Sequence, residues 1–196
     1  MNSKKIILAS KSPRRSQLLN WAEIEFDIIT AETNENFPGY LIPADVAIHI
    51  ACNKAMDVKN SLQSTNTNGI DCPILAADTI VVLDDKIIGK PSNREDAVNT
   101  LSMLSGRTHK VITGVCILIK EKKIAFAEQT EVEFFDLHQS EIEYYIDNYK
   151  PYDKAGAYAI QEWIGVTGIK SINGDFYNVM GLPVSRVVKE LRSLGL

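Results

Sequence analysis

Ten consecutive residues, Ile74 to Leu83, read Ile-Leu-Ala-Ala-Asp-Thr-Ile-Val-Val-Leu and are apolar except for Asp78 and Thr79. A run of this kind predicts a central β-strand, and the rest of the chain supplies elements to surround it. Ile6 to Ala9 reads as a first strand and Glu25 to Ala31 as a second. Between them Ser12 can cap a helix that takes Pro13 in its first turn and carries Leu18, Leu19 and Ala22. After the acidic loop Glu32 to Pro43, a helix opens near Ala44 and presents Ala47, Ala51, Ala55 and Val58 on one face, with Lys54 on that same face. The polar stretch Ser61 to Asp71 reads as a surface loop.

Beyond the central strand, Asp84-Asp85 turns the chain into a short strand, Lys86 to Ile88. Ser92 and Glu95 form a capping box ahead of Ala97, Leu101 and Leu104, with Gly106 as the stop. Two long strands follow, Thr108 to Lys120 and Ile124 to Asp136, and a second box, Ser140 with Glu143, starts a helix through Tyr149. More strand-like sequence comes after Gln161, then a last helix beginning at Pro183. Strands alternating with helices, together with hairpins, predict an α/β domain with a mixed sheet.

Several function classes are excluded early. At 196 residues and 45% hydrophobic, the chain has room for one core and is no disordered segment. The apolar run after Lys5 stops at Ala9, and Val111 to Ile119 is interrupted by Thr113 and Gly114, so neither a signal peptide nor a membrane span is expected. Three widely spaced cysteines, Cys52, Cys72 and Cys116, suit a reducing compartment, and the cytoplasm is the expected location. A net charge of −4 disfavours nucleic acid as a partner, so any phosphate binding has to come from a local basic cluster.

Such a cluster exists. Ser10-Lys11-Ser12-Pro13-Arg14-Arg15 follows a strand and opens a helix, which brings amides, two hydroxyls and two guanidiniums to one helix N-terminus. Asp78 is a carboxylate inside a strand that belongs in the core, and burying it requires a cation or a donor. Lys54, on an alanine stripe, must either snorkel to water or meet an anion. Lys90, in Gly89-Lys90-Pro91, follows the hairpin, and Asp153 to Gln161 is rich in small residues, with Gln161 offering both a donor and an acceptor. Glu32 and Glu35 lie in the acidic loop; beside a triphosphate, a carboxylate facing Asp78 is a candidate Mg²⁺ or Mn²⁺ ligand.

Taken in order, Ser10 to Arg15, Asn53-Lys54-Ala55, Ala77-Asp78-Thr79, Gly89-Lys90-Pro91, Ser105 to His109, Asp153 to Tyr158 and Asn178 to Pro183 resemble the Maf family of nucleoside triphosphate pyrophosphatases from end to end. The resemblance implies a Maf/ITPase-like fold: one domain over residues 1–196, with an elongated mixed β-sheet and flanking helices forming two lobes around a central cleft. It also implies a homodimer and hydrolysis of a nucleotide between its α- and β-phosphates with a divalent cation, Mg²⁺ or Mn²⁺.

Arg14, Thr79 and Gln161 match the branch acting on dTTP and UTP rather than the 7-methyl-GTP branch. On this basis Asp78, Lys54 and Lys90 are the expected catalytic residues, and Glu35 and Asp78 the metal ligands. Ser10, Ser12, Arg14, Arg15, Thr79, Lys154 and Gln161 are expected to bind substrate. After Gln161, where the family often has a Gly-Leu-Gly-like segment, this chain has Glu162-Trp163-Ile164-Gly165. A modified pyrimidine or a purine triphosphate is a further candidate substrate. Outside enzymes, the alternative is a non-catalytic nucleotide-binding regulator of septum formation.

Overall fold

The structure, a computed structural model, describes residues 5–64 and 72–195. Among these, seven strands form one sheet. They are β1 (Ile6–Leu8), β2 (Phe26–Ile28), β3 (Ile74–Leu83), β4 (Lys86–Ile88), β5 (Thr108–Ile119), β6 (Lys122–Phe134) and β7 (Ile169–Asn173). The order is β2-β1-β3-β5-β6-β7, with β4 paired to β3. β1 runs parallel to β2 and to β3, whereas β4 and β7 are antiparallel to their partners, so the sheet is mixed as expected. The helices are α1 (Pro13–Trp21), α2 (Pro43–Ser64), α3 (Arg94–Leu104), α4 (Gln139–Tyr149), α5 (Trp163–Gly168), α6 (Phe176–Met180) and α7 (Val184–Ser193). The chain divides into two compact units, the first made of Met1–Asp78, Thr113–Glu128 and Gly181–Leu196, the second of Thr79–Ile112 and Gln129–Met180.

In the first unit, Ile7, Ala9, Ile74 and Ala76 pack with Cys116 and Leu118 against Ala51, Ala55 and Val58 of α2. The alanine stripe is buried as its spacing predicts. Small residues here allow a close approach: a Cβ placed on Gly114 of β5 would lie 2.2 Å from the backbone carbon of Ala47 and 2.4 Å from the amide nitrogen of Ile48. α2 continues to Ser64, so Ser61 to Ser64, expected in a loop, are helical. The rest of that expected loop, residues 65–71, lies outside the described residues. Pro13 opens α1 and Ser12 stands at its N-cap, but the Ser12 hydroxyl does not cap the helix. The turn is closed instead by the Ser12 N–H, which donates to Ser10 Oγ at 3.2 Å.

The second unit has its own core, with Leu101 and Leu104 of α3, Phe134 of β6 and Tyr145 and Ile146 of α4 all at or below 1% exposure. Its helix starts differ from expectation by one or two residues. α3 is capped by Asn93, which accepts from the Asp96 N–H at 2.9 Å, while the Asp96 carboxylate reaches back to the Ser92 N–H at 2.8 Å. α4 already contains Ser140; its reciprocal bond runs from the His138 N–H to Glu141 Oε2 at 2.8 Å, and Glu143 instead meets Gln139. Of the strand-like sequence expected after Gln161, Ile169–Asn173 alone is strand, flanked by α5 and α6.

His109, 1% exposed, is held in this core by Tyr158 Oη at 2.6 Å from Nε2 and by stacking on Phe134 at 5.4 Å. Burial lowers its pKa from 6.5 to about 4. Between those values the unfolded chain holds a proton that the folded chain refuses, so this contribution to stability is complete above pH 6.5 and is lost as pH falls toward 4. The loss amounts to about 3 kcal/mol. Urea midpoints measured from pH 7 down to pH 4 should show this fall, and His109→Gln should flatten it; an equally steep dependence in the variant would discount His109 as its source.

Candidate active site

In the first unit the expected residues converge. Asp78 ends this unit's share of β3, where flanking Ala76 and Ala77 are fully buried while its own side chain keeps 15% exposure. The cation it requires is Lys54. The Nζ of Lys54 lies 2.7 Å from Asp78 Oδ1 and 2.7 Å from Glu35 Oε1, with its side chain 20% exposed. The lysine on the alanine stripe therefore meets anions and does not snorkel. Its site on α2 is set by the packing of Ala51 and Ala55, one residue and one turn of helix around it. Because Lys54 faces two carboxylates, losing one leaves the other to balance it, whereas losing Lys54 itself would leave Asp78 without its cation.

Arg15, on α1, extends the same cluster. Its Nε donates to the Gly181 carbonyl at 2.8 Å and its Nη1 to Ser10 Oγ at 3.0 Å. Burial draws the guanidinium below its ordinary pKa, opposed chiefly by the Asp78 carboxylate and, to a smaller extent, by Glu35, while Arg14 adds to the lowering. An arginine keeps its charge throughout. Ser10, at 8% exposure, thus receives both the Arg15 guanidinium and the Ser12 N–H, and the turn that leads from β1 into α1 is fixed by its own side chains.

Sequence reasoning assigned no role to Gly181, the acceptor that holds Arg15. Gly181 lies in the Asn178 to Pro183 motif, but a carbonyl leaves no mark in side-chain chemistry, and 166 positions separate the two residues.

The second unit places the other expected residues as follows. Thr79 is half-buried in β3, and Lys90 is exposed just after β4. The Gly156 N–H donates to the Gly89 carbonyl at 3.1 Å, tying the Asp153 to Gln161 segment to the backbone beside Lys90. Gly156 has φ +71, and a Cβ there would meet Val81 at 2.9 Å, so both conformation and space call for glycine. Lys154 is buried at 8% exposure, with Asp153 Oδ1 at 2.8 Å and Glu162 Oε1 at 3.4 Å. Gln161 is exposed.

Glu35 and Asp78 fit a divalent cation. Both are hard oxygen donors, and both already reach a single positive centre, the Lys54 ammonium, at 2.7 Å.

The Maf-like protein family profile matches residues 5–194. A dTTP/UTP pyrophosphatase of Parabacteroides distasonis is 46% identical over 189 residues, covering 96% of this chain and 95% of its own length. One from Cytophaga hutchinsonii is 49% identical over 189 residues, 96% of this chain and 84% of its own, and one from Bacillus cereus strain G9842 is 45% identical over 193 residues, 98% and 97%. Among solved structures, the Staphylococcus aureus Ham1 protein matches 67% of this chain and 72% of its own at a TM-score of 0.44 and 11% identity, a likeness too slight to argue from.

Proposed function

The chain belongs to the Maf family, and from that premise we propose that it is a nucleoside triphosphate pyrophosphatase that hydrolyses dTTP and UTP to the monophosphate and pyrophosphate. The observation that carries this is the Lys54 ammonium set 2.7 Å from both Asp78 and Glu35, in the same unit as Arg15, Ser10 and the N-terminus of α1. Cations and donors for a phosphate chain thus accompany an acidic pair able to manage a water molecule. A non-catalytic regulator of septum formation is not favoured, because the relatives are named for turnover. One domain over residues 1–196, a homodimer and a cytoplasmic location belong to this reading; the three free cysteines support the last.

In the reaction, water attacks the α-phosphorus and the bond to the bridging oxygen of the pyrophosphate breaks. Asp78 orients that water and accepts its proton, and Lys54 holds the carboxylate in place for it. Ser10, Ser12, Arg14 and Arg15 grip the phosphates, and positive charge from Lys54 offsets what develops on the phosphoryl oxygens, a role the resemblance also implies for Lys90. Glu35 and Asp78 would hold a Mg²⁺ or Mn²⁺, which when bound supplies Lewis-acid polarisation of the phosphate and acidifies water.

Roles for Thr79, Lys154 and Gln161 toward the substrate rest on the resemblance. A neutral amide at Gln161 suits uracil and thymine, since it can accept from N3–H while donating to a ring carbonyl.

The test is pyrophosphate release from dTTP, UTP, CTP, GTP and 7-methyl-GTP with Mg²⁺ or Mn²⁺. Release from dTTP and UTP should exceed the others by at least about tenfold and should stop when the metal is chelated. Equal rates on GTP would overturn the pyrimidine assignment; no release from any nucleotide would overturn the enzyme itself.

A further inference from the structure

The segment beside Gln161 contains a network in which Glu162 and Tyr145 have no part in the mechanism. Lys154, buried at 8% exposure, needs an anion and has two, Asp153 and Glu162. The second oxygen of Glu162 accepts from the phenol of Tyr145 on α4. That phenol oxygen in turn accepts from the Ala159 N–H at 3.2 Å. Tyr145 is fully buried and stacked on Tyr149 with ring centroids 5.0 Å apart. Desolvation first, and the bond to Glu162 second, push its pKa above that of an ordinary phenol, so the hydroxyl keeps its proton and stays a donor. Glu162 also opens α5, its carbonyl accepting from Gly165 at 2.9 Å and Val166 at 3.2 Å.

Gln161 sits between the two anchored positions. Ala159, two residues before it, and Glu162, one residue after it, are both fastened to the same Tyr145 hydroxyl, while Gln161 is exposed. An amide distinguishes pyrimidine bases only if its carbonyl and its NH₂ are each held at the correct atom, and a surface side chain on a loose loop cannot do that. Glu162 stands where the resembled family often has glycine, so this anchor is built from this chain's own residues. We infer that Glu162 and Tyr145 are positioning residues that set the discrimination exerted by Gln161, with Lys154 balancing the Glu162 charge. This rests on the dTTP/UTP reading given above.

The test compares wild type, Tyr145→Phe and Glu162→Gln in steady-state hydrolysis of UTP and CTP. Tyr145→Phe should raise KM for UTP about tenfold and lower the UTP to CTP ratio of kcat/KM to match, with kcat within about twofold. Glu162→Gln, which keeps an acceptor for the phenol but lacks the charge facing Lys154, should move KM and the ratio the same way by about threefold. If Tyr145→Phe does not fold, the isosteric Glu162→Gln decides alone.

An unchanged UTP to CTP ratio in the folded variants would overturn the inference, and so would an equal fall in kcat on both nucleotides, which marks a merely structural role. Wild-type enzyme with no preference for UTP over CTP overturns the dTTP/UTP reading first, and the inference with it; the variants are then not needed to tell the two failures apart.

Discussion

Asp78→Asn is expected to lower pyrophosphate release about a hundredfold or more while the protein remains folded. The amide has the shape of the carboxylate and keeps one oxygen facing Lys54 Nζ, now 2.7 Å from Oδ1, but it cannot take a proton from water. It also removes one of the two negative charges proposed to hold a divalent cation. Lys54 keeps Glu35 at 2.7 Å, so its charge is not stranded and the thermal midpoint should move little. Kinetics and calorimetry on one preparation separate the two quantities. Near-normal turnover in a folded Asp78→Asn protein would end the assignment, whatever the state of the rest of the cluster.

A large loss of stability is expected from Gly114→Ala. The added methyl would come within 2.2 to 2.4 Å of the α2 backbone at Ala47 and Ile48, where no side chain can swing aside, so the helix itself has to shift. A cost of about 3 kcal/mol corresponds, for a domain of this size, to a midpoint lower by about 6–12 °C. Gly39→Ala, where nothing lies within 4 Å, is the control and should stay close to wild type. Activity should fall in Gly114→Ala as well, because the displaced helix carries Lys54. A Gly114→Ala protein as stable as the control would mean that α2 does not press on β5 as described.

What the sequence made legible was whatever depends on near neighbours. Asp78 in an apolar strand and Lys54 on an alanine stripe are each anomalies of a single element, and each implied a partner of opposite charge. That they are each other's partner, with Glu35 as a third, is a fact about three separate segments that no spacing encodes.

The helix starts differ from expectation for a related reason. Ser92-Asn93 and His138 to Ser140 offer several competent caps in a row, and the choice between them is made by where α3 and α4 must lie to bury Leu101, Leu104, Tyr145 and Ile146. α5 and α6 were hidden by their shortness and by the glycines at 165 and 168. At Gly165 the glycine serves packing, since a Cβ there would lie 1.8 Å from the Ile160 carbonyl oxygen. Glu162 was visible as a departure from the resembled pattern, yet the burial that gives it importance, that of Lys154 and Tyr145, was not.

The bond from Arg15 to the Gly181 carbonyl also bears on how the protein is made. A ribosome delivers β1 and the Ser10 to Arg15 turn early, but the acceptor that steadies Arg15 is translated 166 residues later, and the unit they share is assembled from three separated stretches of chain. A nascent or truncated chain that has not reached position 181 therefore lacks the acceptor that steadies the Arg15 guanidinium.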